Sequence, residues 1–361
     1  MYKNKSSCGN FYCKVIYNYQ NLLLTNKNTA EILLSYYTQI GNDSSDNIII
    51  PKSLTIKDKE DIIDRYIDRD DSNPNKHILA SSFDICLEDV IQNQFNSICS
   101  KCNVQNIEIH FEKNTEYLSR IRYICPEIDS ILKKYKLFVE YGVVDTEILE
   151  MNSSPVRVED IPSLVHNKYV YSNGGQIDKV MHNLFSDQSM LYSVKEYNRK
   201  GYKSLFELLS NEHVSWESLE DYLQPSYQEL ISLGYIVVED GHIHLTDMYK
   251  ITILRDLYNN DVISYYRIPI AHRHIVDKLC QDGIMRFESR LFTLAEIDYF
   301  NFVLNKSFCN GLDLRNKYVH GSHGIDTLVI KGDYYTLLRM SILILMKIID
   351  DILCSTTQQQ N

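Results

Sequence analysis

The 361-residue sequence predicts a mainly α-helical protein with a smaller β component, an α+β class in which helices dominate. Three observations support this class. Apolar residues recur at helical spacing along much of the chain. From Ile268 onward nearly all of the sequence follows that pattern, as in a helical bundle. Strand patterns are short, and the clearest are two alternating runs on either side of Asp240-Gly241. The length indicates two or three domains rather than one continuous core.

The first 155 residues mix short helical and strand-like pieces, and we expect an N-terminal α+β domain of unknown role and unknown fold there. Residues 59–71 place apolar side chains at helical spacing with charges outside. Residues 104–111 alternate as in a half-buried strand. Two helices are expected on either side of Pro126, because proline is tolerated in the first turn of a helix.

A connecting region is expected at residues 156–202. It contains a turn at residues 172–175, followed by an amphipathic helix from Gln176 to Phe185. The sequence shows no internal repeat at a fixed period, either here or elsewhere in the chain.

Residues 203–262 predict three short helices followed by a β-hairpin. Ser215 is the expected N-cap of the second helix, and Gly234 the residue that stops the third. Asp240-Gly241 between two alternating runs is a strong hairpin pattern. The predicted helices cover residues 203–209, 216–223 and 226–233.

This order of elements resembles a winged-helix module, in which the third helix usually reads DNA. The third helix of residues 203–262 carries Glu229 and neither Lys nor Arg. A recognition helix without a cation is a poor reader of a DNA groove. We therefore expect interaction or scaffolding use of this module, and no sequence-specific DNA partner.

Residues 263–355 predict a C-terminal helical domain, and residues 356–361 a disordered tail. Thr293 and Glu296 have the spacing of a capping box. The last helix, expected to begin at the cap Asp333, is apolar around most of its circumference and must be covered on more than one side. A partner subunit or the N-terminal domain would provide that cover. The predicted helices cover residues 271–286, 294–306, 312–320 and 334–353.

The segment from Asn310 to Gly321 carries the residues best suited to chemistry. Asn316 and His320 are four positions apart on a short predicted helix, so the amide can hydrogen-bond the imidazole. The helix dipole at the C-terminal end favours the imidazolium form of His320. Arg315 lies about 100° around the helix from Asn316 and has a side chain long enough to reach a group held near His320. Together they could hold and cleave a phosphodiester.

Arg315-Asn316-x-x-x-His320 resembles the Arg-x(4–6)-His motif of the HEPN (higher eukaryotes and prokaryotes nucleotide-binding) superfamily. The similarity covers roughly residues 265–355 and is nearest to bacterial HEPN proteins linked to antiviral defence. It implies a HEPN-type helical bundle that pairs about a two-fold axis, so that a homodimer forms one composite cleft. The winged-helix-like segment before it also recurs beside HEPN domains in such effectors.

The resemblance implies a metal-independent endoribonuclease without a cofactor. His320 would act as general base or acid, Arg315 would stabilise charge on the phosphate, and Asn316 would orient the histidine. The nucleophile would be the ribose 2′-hydroxyl, which makes RNA the substrate and a 2′,3′-cyclic phosphate the product. Lys317 and His323, close by in sequence, are candidates to assist phosphate binding, although His323 is also consistent with an ordinary loop residue.

Three interpretations of the function are considered, of which the nuclease is the first. The first proposal is an RNA-cleaving effector of a bacterial antiviral or abortive-infection system, or a toxin, with a possible antitoxin or other defence partner. The alternative is a non-catalytic HEPN protein that assembles subunits or binds nucleotide-containing ligands. A winged-helix transcription regulator is a third possibility, disfavoured by the acidic third helix.

Composition limits these interpretations. The 37 Lys and Arg against 48 Asp and Glu give a net charge of −11, which excludes a broad basic surface for nonspecific nucleic-acid binding. It leaves room for a cleft that concentrates a few cations. The sequence has no phosphate loop, dinucleotide-binding glycine motif or serine-hydrolase elbow.

Cysteine usage and the termini indicate a cytoplasmic protein with no membrane span. The nine cysteines are scattered and odd in number, which fits a reducing compartment. The first residues lack a signal peptide, and charges interrupt the apolar stretch of residues 337–353. Cys99 and Cys102 have zinc-knuckle spacing without a second matching pair, so we expect no metal site.

Overall fold

The computed structural model describes residues 87–112, 116–145, 147, 149, 156–319 and 326–358. This part of the chain is mainly helical, with two small antiparallel sheets, as the sequence predicts. It divides into two compact units. Unit 1 combines Met1–Val165 with Arg290–Asn361, and unit 2 is His166–Ser289. The predicted helix at residues 59–71 lies outside the described residues.

The helices and strands are numbered in chain order. In unit 1 the helices are α1 (Leu87–Lys101), α2 (Tyr117–Tyr141), α8 (Leu294–Leu304), α9 (Leu314–Val319) and α10 (Thr327–Gln358). In unit 2 they are α3 (Gln176–Phe185), α4 (Leu205–Asn211), α5 (Gln224–Ser232), α6 (Met248–Asn260) and α7 (Ile270–Gln281). The strands are β1 (Tyr169–Ser172), β2 (Val214–Ser215), β3 (Ile236–Glu239), β4 (His242–Leu245), β5 (Ile263–Ser264) and β6 (Met285–Glu288).

Helix α10 forms the centre of unit 1 and packs against α1 and α2. Its side chains from Leu337 to Ile352 are almost all buried, as the predicted apolar circumference requires. The cover therefore comes from helices of the same chain. Asp333 is not its cap, because α10 already begins at Thr327. Its last turns reach Gln358, so the predicted tail is helical where it is described.

A buried ion pair joins α8 and α10 in unit 1. Lys347 of α10 lies 2.8 Å from Glu296 of α8, and their side chains are 2% and 0% exposed. Glu296 also accepts a hydrogen bond from the backbone N–H of Thr293, while the Thr293 hydroxyl accepts one from the N–H of Glu296. The predicted capping box is thus confirmed, and Glu296 has a second role as an ion-pair partner.

Two predictions for the N-terminal region were wrong. Helix α2 continues through Pro126 rather than ending before it, and its buried isoleucines pack against α10 across both halves. Residues 104–111 alternate in burial but form no strand. Their backbone pairs with side chains instead: Ile109 exchanges two hydrogen bonds with Asn96, and the Phe111 N–H donates to Gln92.

The first half of unit 2 agrees with the predicted element order except at its second helix. Asp240 and Gly241 both have positive φ and form the predicted turn between β3 and β4. The predicted helix at 216–223 is only a single 3-10 turn, Trp216–Ser218. Residues 219–223, between this turn and α5, form bends and turns rather than a helix.

Unit 2 contains an internal duplication that the sequence pattern did not reveal. Residues 205–239 and 254–288 follow the same order of helix, two-residue strand, 3-10 turn, helix and strand, offset by 49 positions. We call them the first and second repeats. Both second helices end at a glycine with left-handed φ, +70° at Gly234 and +71° at Gly283. The residue after each glycine donates to an equivalent carbonyl, Tyr235 to Leu230 and Ile284 to Leu279.

Sequence identity between the repeats is low, which is why the expectation of no internal repeat was wrong. Only seven of the 35 aligned positions are identical, but six of the nine buried positions of the first repeat are also buried in the second. The identical pairs are Leu205/Leu254, Leu208/Leu257, Asn211/Asn260, Ser215/Ser264, Leu230/Leu279, Gly234/Gly283 and Glu239/Glu288.

The central strand of each small sheet comes from a different place in the chain. In the first repeat it is β4, the second strand of the local hairpin. In the second repeat it is β1, which precedes the first repeat and pairs with both β5 and β6. The predicted helix at 271–286 therefore ends at Gln281, and residues 285–288 form a strand. Residues 263–289 belong to unit 2 rather than to the C-terminal helical domain.

Candidate active site

The candidate motif lies on the short helix α9 of unit 1. Asp313, with a φ of +47°, turns the chain into this helix, and its carbonyl accepts from the N–H of Lys317. Gly311, two residues before Asp313, has no room for a side chain, because a Cβ there would lie 2.9 Å from the Phe302 carbonyl oxygen. Leu314 and Tyr318 are buried in the core of unit 1 on the face that the sequence predicts. His320 and His323 lie outside the described residues.

Arg315 has a fixed position on this helix. One terminal nitrogen, Nη2, lies 2.5 Å from Oδ1 of Asp129 on α2, and the other, Nη1, donates to Oδ1 of Asn305 at 2.8 Å. The side chains of Arg315 and Asp129 are 18% and 19% exposed. The Nε–H of Arg315 is buried and finds no hydrogen-bond partner among the described residues. The guanidinium is thus oriented by two partners without being fully enclosed.

Burial raises the pKa of three groups on or close to the helix that carries Arg315. Burial raises the pKa of Asp129, although Arg315 and Lys133 lower it in part. Burial raises the pKa of the Cys125 thiol to about 12 against the influence of Arg315. Burial, together with a hydrogen bond to Asp333, also raises the pKa of Tyr318. Asp129 is therefore the group that directly offsets the charge of Arg315.

Asn316 and Lys317, the other described candidates, also have partners in the chain. The amide nitrogen of Asn316 donates to Oδ1 of Asp313 at 2.8 Å, at the start of the helix. Lys317 lies 2.5 Å from Oδ2 of Asp333, which also accepts from the Tyr318 hydroxyl at 2.6 Å. Asp333 thus anchors α9 to α10. A phosphate at Lys317 would have to compete with Asp333.

Asp129 and Asn305 are the site residues that sequence reasoning missed. Asp129 is 186 positions from Arg315, and no local spacing links the two. Asn305 is the C-cap of α8, and its own amide nitrogen donates to Asn301 one turn earlier. An asparagine just past a helix end is common as a cap, so neither residue carried a sequence pattern specific to Arg315.

The cysteine pair with zinc-knuckle spacing is not part of a metal site within the described ranges. Cys99 and Cys102 are free thiols, and burial raises the pKa of Cys99 to about 12. No group of three or more potential metal ligands occurs among the residues that the structure describes. In the same part of the chain, none of the helices combines the length and apolar content needed to cross a bilayer.

Comparison with known proteins adds no assignment. No protein-family model, no curated protein and no solved structure matches the chain.

Proposed function

We propose that the protein is an endoribonuclease whose active site is built around Arg315 and His320. The observation that carries the proposal is the fixed guanidinium of Arg315, held by Asp129 and Asn305 at partial exposure. A catalytic arginine must be oriented before the transition state forms, since reorienting it during the reaction would cost free energy. Two of its five N–H groups are used by these partners, which leaves donors for a phosphate.

The proposed chemistry uses only side chains of this motif. His320 removes the proton from a ribose 2′-hydroxyl, which attacks the adjacent phosphorus. The bond from phosphorus to the 5′-oxygen breaks, that oxygen takes up a proton, and a 2′,3′-cyclic phosphate and a 5′-hydroxyl result. Arg315 stabilises the negative charge that builds up on the phosphoryl oxygens. DNA lacks the nucleophile, so RNA is the substrate.

The setting we propose is a cytoplasmic effector of antiviral defence or a toxin, acting as a homodimer through its helical C-terminal part, with a possible antitoxin or defence-system partner. The support is the motif resemblance together with the helical packing of α8, α9 and α10 around the candidate site. We also propose that residues 203–262 form a winged-helix-like module used for interaction rather than DNA reading. Its helix, strand and hairpin order supports the module, and the acidic α5 supports the use.

A second candidate function is non-catalytic assembly. It is favoured by the partners of the motif: Arg315, Asn316 and Lys317 all bind acceptors within the same chain. In that case the motif ties α9 to α2 and α10, and the same helices serve only to join subunits or hold a nucleotide-containing ligand.

One experiment separates the two candidates. Purified full-length protein is incubated with end-labelled RNA in EDTA beside Arg315→Ala and His320→Ala. Arg122→Ala and His110→Ala, which change exposed residues of the same unit, are the matched controls. We expect each motif variant to lower the cleavage rate at least about 100-fold, with the controls unchanged. Mass spectrometry should find a cyclic phosphate on the products.

The assembly candidate gives a different result. Wild-type protein would then cleave no faster than Arg315→Ala, and light scattering would show a loss of oligomers in that variant. Asp129→Asn helps to interpret a loss of activity. Under the nuclease proposal it keeps the fold but weakens the hold on Arg315, so its rate should lie between wild type and Arg315→Ala.

A further inference from the structure

A cavity of about 760 Å³ lies within unit 2, between the two repeats. Its wall includes the two helix-ending glycines, Gly234 and Gly283, one from each repeat. Its lining includes three basic side chains: Lys250 at the start of α6, and His274 and Lys278 one turn apart on α7. A volume of this size falls in the range of small-molecule sites.

The two lysines in this cavity lack the carboxylate partners that three other lysines of unit 2 have. Lys179, Lys195 and Lys200 each form an ion pair with a glutamate. Neither Lys250 nor Lys278 forms an ion pair with a described residue. The Lys250 ammonium instead lies 4.1 Å from the centre of the Tyr235 ring, a neutral partner.

The charged groups around Lys250 shift its pKa in opposite directions. Burial lowers the pKa of Lys250; Lys278 lowers it further, and Asp247 and Asp282 act in the opposite direction. The Asp247 carboxylate already caps α6 by accepting from the N–H groups of Tyr249 and Lys250. Asp247 and Asp282 line the same cavity, but neither forms an ion pair with Lys250 or Lys278, so both ammonium groups can still bind an anion.

The duplication shows that a lysine is not needed at this place for the fold. The residue equivalent to Lys278 in the first repeat is Glu229, which has its own partner, Lys179, at 2.6 Å. The same helix position therefore tolerates either charge. Lys278 is exposed and forms no ion pair with a described residue, so its ammonium can meet a ligand.

We propose that this cavity binds a phosphate-bearing ligand of nucleotide size. Lys250 and Lys278 bind the phosphate, and His274 contributes a further donor. The apolar part of the wall, including Ile177, Ile275 and Ile284, packs against the base or sugar. The ligand is either a free nucleotide or one nucleotide of an RNA strand. Because all these residues lie in unit 2, the site is independent of Arg315 and of the proposed cleavage chemistry.

The test is isothermal titration calorimetry on the full chain carrying Arg315→Ala, so that substrate turnover does not interfere. The probes are ATP without divalent metal, inorganic pyrophosphate, adenosine and a five-nucleotide RNA. Lys250→Gln, Lys278→Gln and Lys278→Glu are compared with Lys195→Gln, an exposed lysine of the same unit outside the cavity. Lys278→Glu introduces the residue that the first repeat already holds.

We expect ATP or the RNA to bind, adenosine to bind at least tenfold more weakly, and each cavity variant to weaken binding at least tenfold. Lys195→Gln should bind like the parent. Tighter binding of ATP identifies a free nucleotide as the ligand, and tighter binding of RNA a strand. The proposal is overturned if neither ATP nor RNA binds, if adenosine binds as well as ATP, or if cavity variants with unchanged melting temperature bind like the parent.

Discussion

The two repeats of unit 2 have the same order of helices and strands but a different charge: the first is acidic and the second has equal numbers of acidic and basic residues. The first, residues 205–239, contains no Lys or Arg and seven Asp or Glu, whereas the second, residues 254–288, contains five of each. Their buried leucines and their helix-ending glycines coincide. The fold thus depends on a few core and turn positions, and the exposed helix faces are free to acquire different charges and different uses.

A second difference concerns how each sheet is completed. The first repeat closes its sheet with the adjacent hairpin strand β4, while the second takes its central strand, β1, from before the first repeat. In both cases the central strand is antiparallel to its two neighbours. Each repeat therefore takes its central strand from outside its own 35 residues, the first from the strand that follows it and the second from a strand that precedes both repeats.

Removing equivalent core leucines is the strongest test of a shared core. Leu230 and Leu279 are 0% and 4% exposed, so Leu230→Ala and Leu279→Ala should each lower the free energy of unfolding by about 2–5 kcal/mol. Urea unfolding can be followed by the fluorescence of Trp216, the single tryptophan of the chain. Ile270→Ala, a change at a side chain that is 76% exposed, is the control and should cost less than about 0.5 kcal/mol. A leucine variant no less stable than this control would mean that the two positions are not equivalent in the core of unit 2.

The origin of the central strands can be tested by truncating one buried side chain in each. Val170 of β1 is paired with Ile263 and Phe287, so Val170→Ala should cost about 2 kcal/mol. Hydrogen exchange should then speed up in the second repeat, although residue 170 precedes the first. Ile243→Ala in β4 is the matched variant and should speed exchange in the first repeat. Equal effects of both variants on both repeats would argue against separate sheets.

Substitution of the two helix-ending glycines should destabilise the protein by less than the leucine variants. Gly234→Ala and Gly283→Ala place a Cβ on a residue with left-handed φ, which should cost about 1–2 kcal/mol at each position. Neither site has a neighbouring atom in the way, so the cost comes from the backbone alone. Gly332→Ala in the exposed interior of α10 is the control and should instead stabilise by up to about 1 kcal/mol. The same sign for all three variants would contradict the left-handed assignment.

Local patterns predicted the elements that depend on neighbouring residues. The hairpin at Asp240-Gly241, the capping box at Thr293 and helix α3 all follow from residues within a few positions of one another. Non-local contacts account for the failures. Residues 104–111 bind the side chains of Asn96 and Gln92 rather than a strand, and residues 285–288 pair with a strand more than 100 positions earlier.

In the candidate site, too, local spacing predicted the helix but not the contacts with residues distant in sequence. The helix around Arg315 and the buried face of Leu314 and Tyr318 were predictable from helical spacing. The residue that fixes Arg315, Asp129, was not, because it comes from α2 and meets α9 only in the folded core. The duplication was hidden for a related reason: burial is shared at equivalent positions while identity is not, so a search for repeated letters fails.

The smallest expected effect concerns a thiol that only the second repeat carries. Cys280 takes the place of Ile231, and burial together with the nearby Asp277 carboxylate raises the pKa of Cys280 to about 11. Near neutral pH its thiolate fraction is then about 300-fold below that of a thiol with a pKa of about 8.5.

Iodoacetamide should label Cys280 far more slowly than the exposed Cys309, and the labelling rate of Cys280 should keep rising with pH toward 11. Peptide mass spectrometry measures both rates in one sample. Cys280→Ile, which copies the first repeat, should change stability by less than about 1 kcal/mol, because the equivalent place already holds an isoleucine. Rapid labelling of Cys280 at neutral pH would show that α7 is less buried in unit 2 than its counterpart α5.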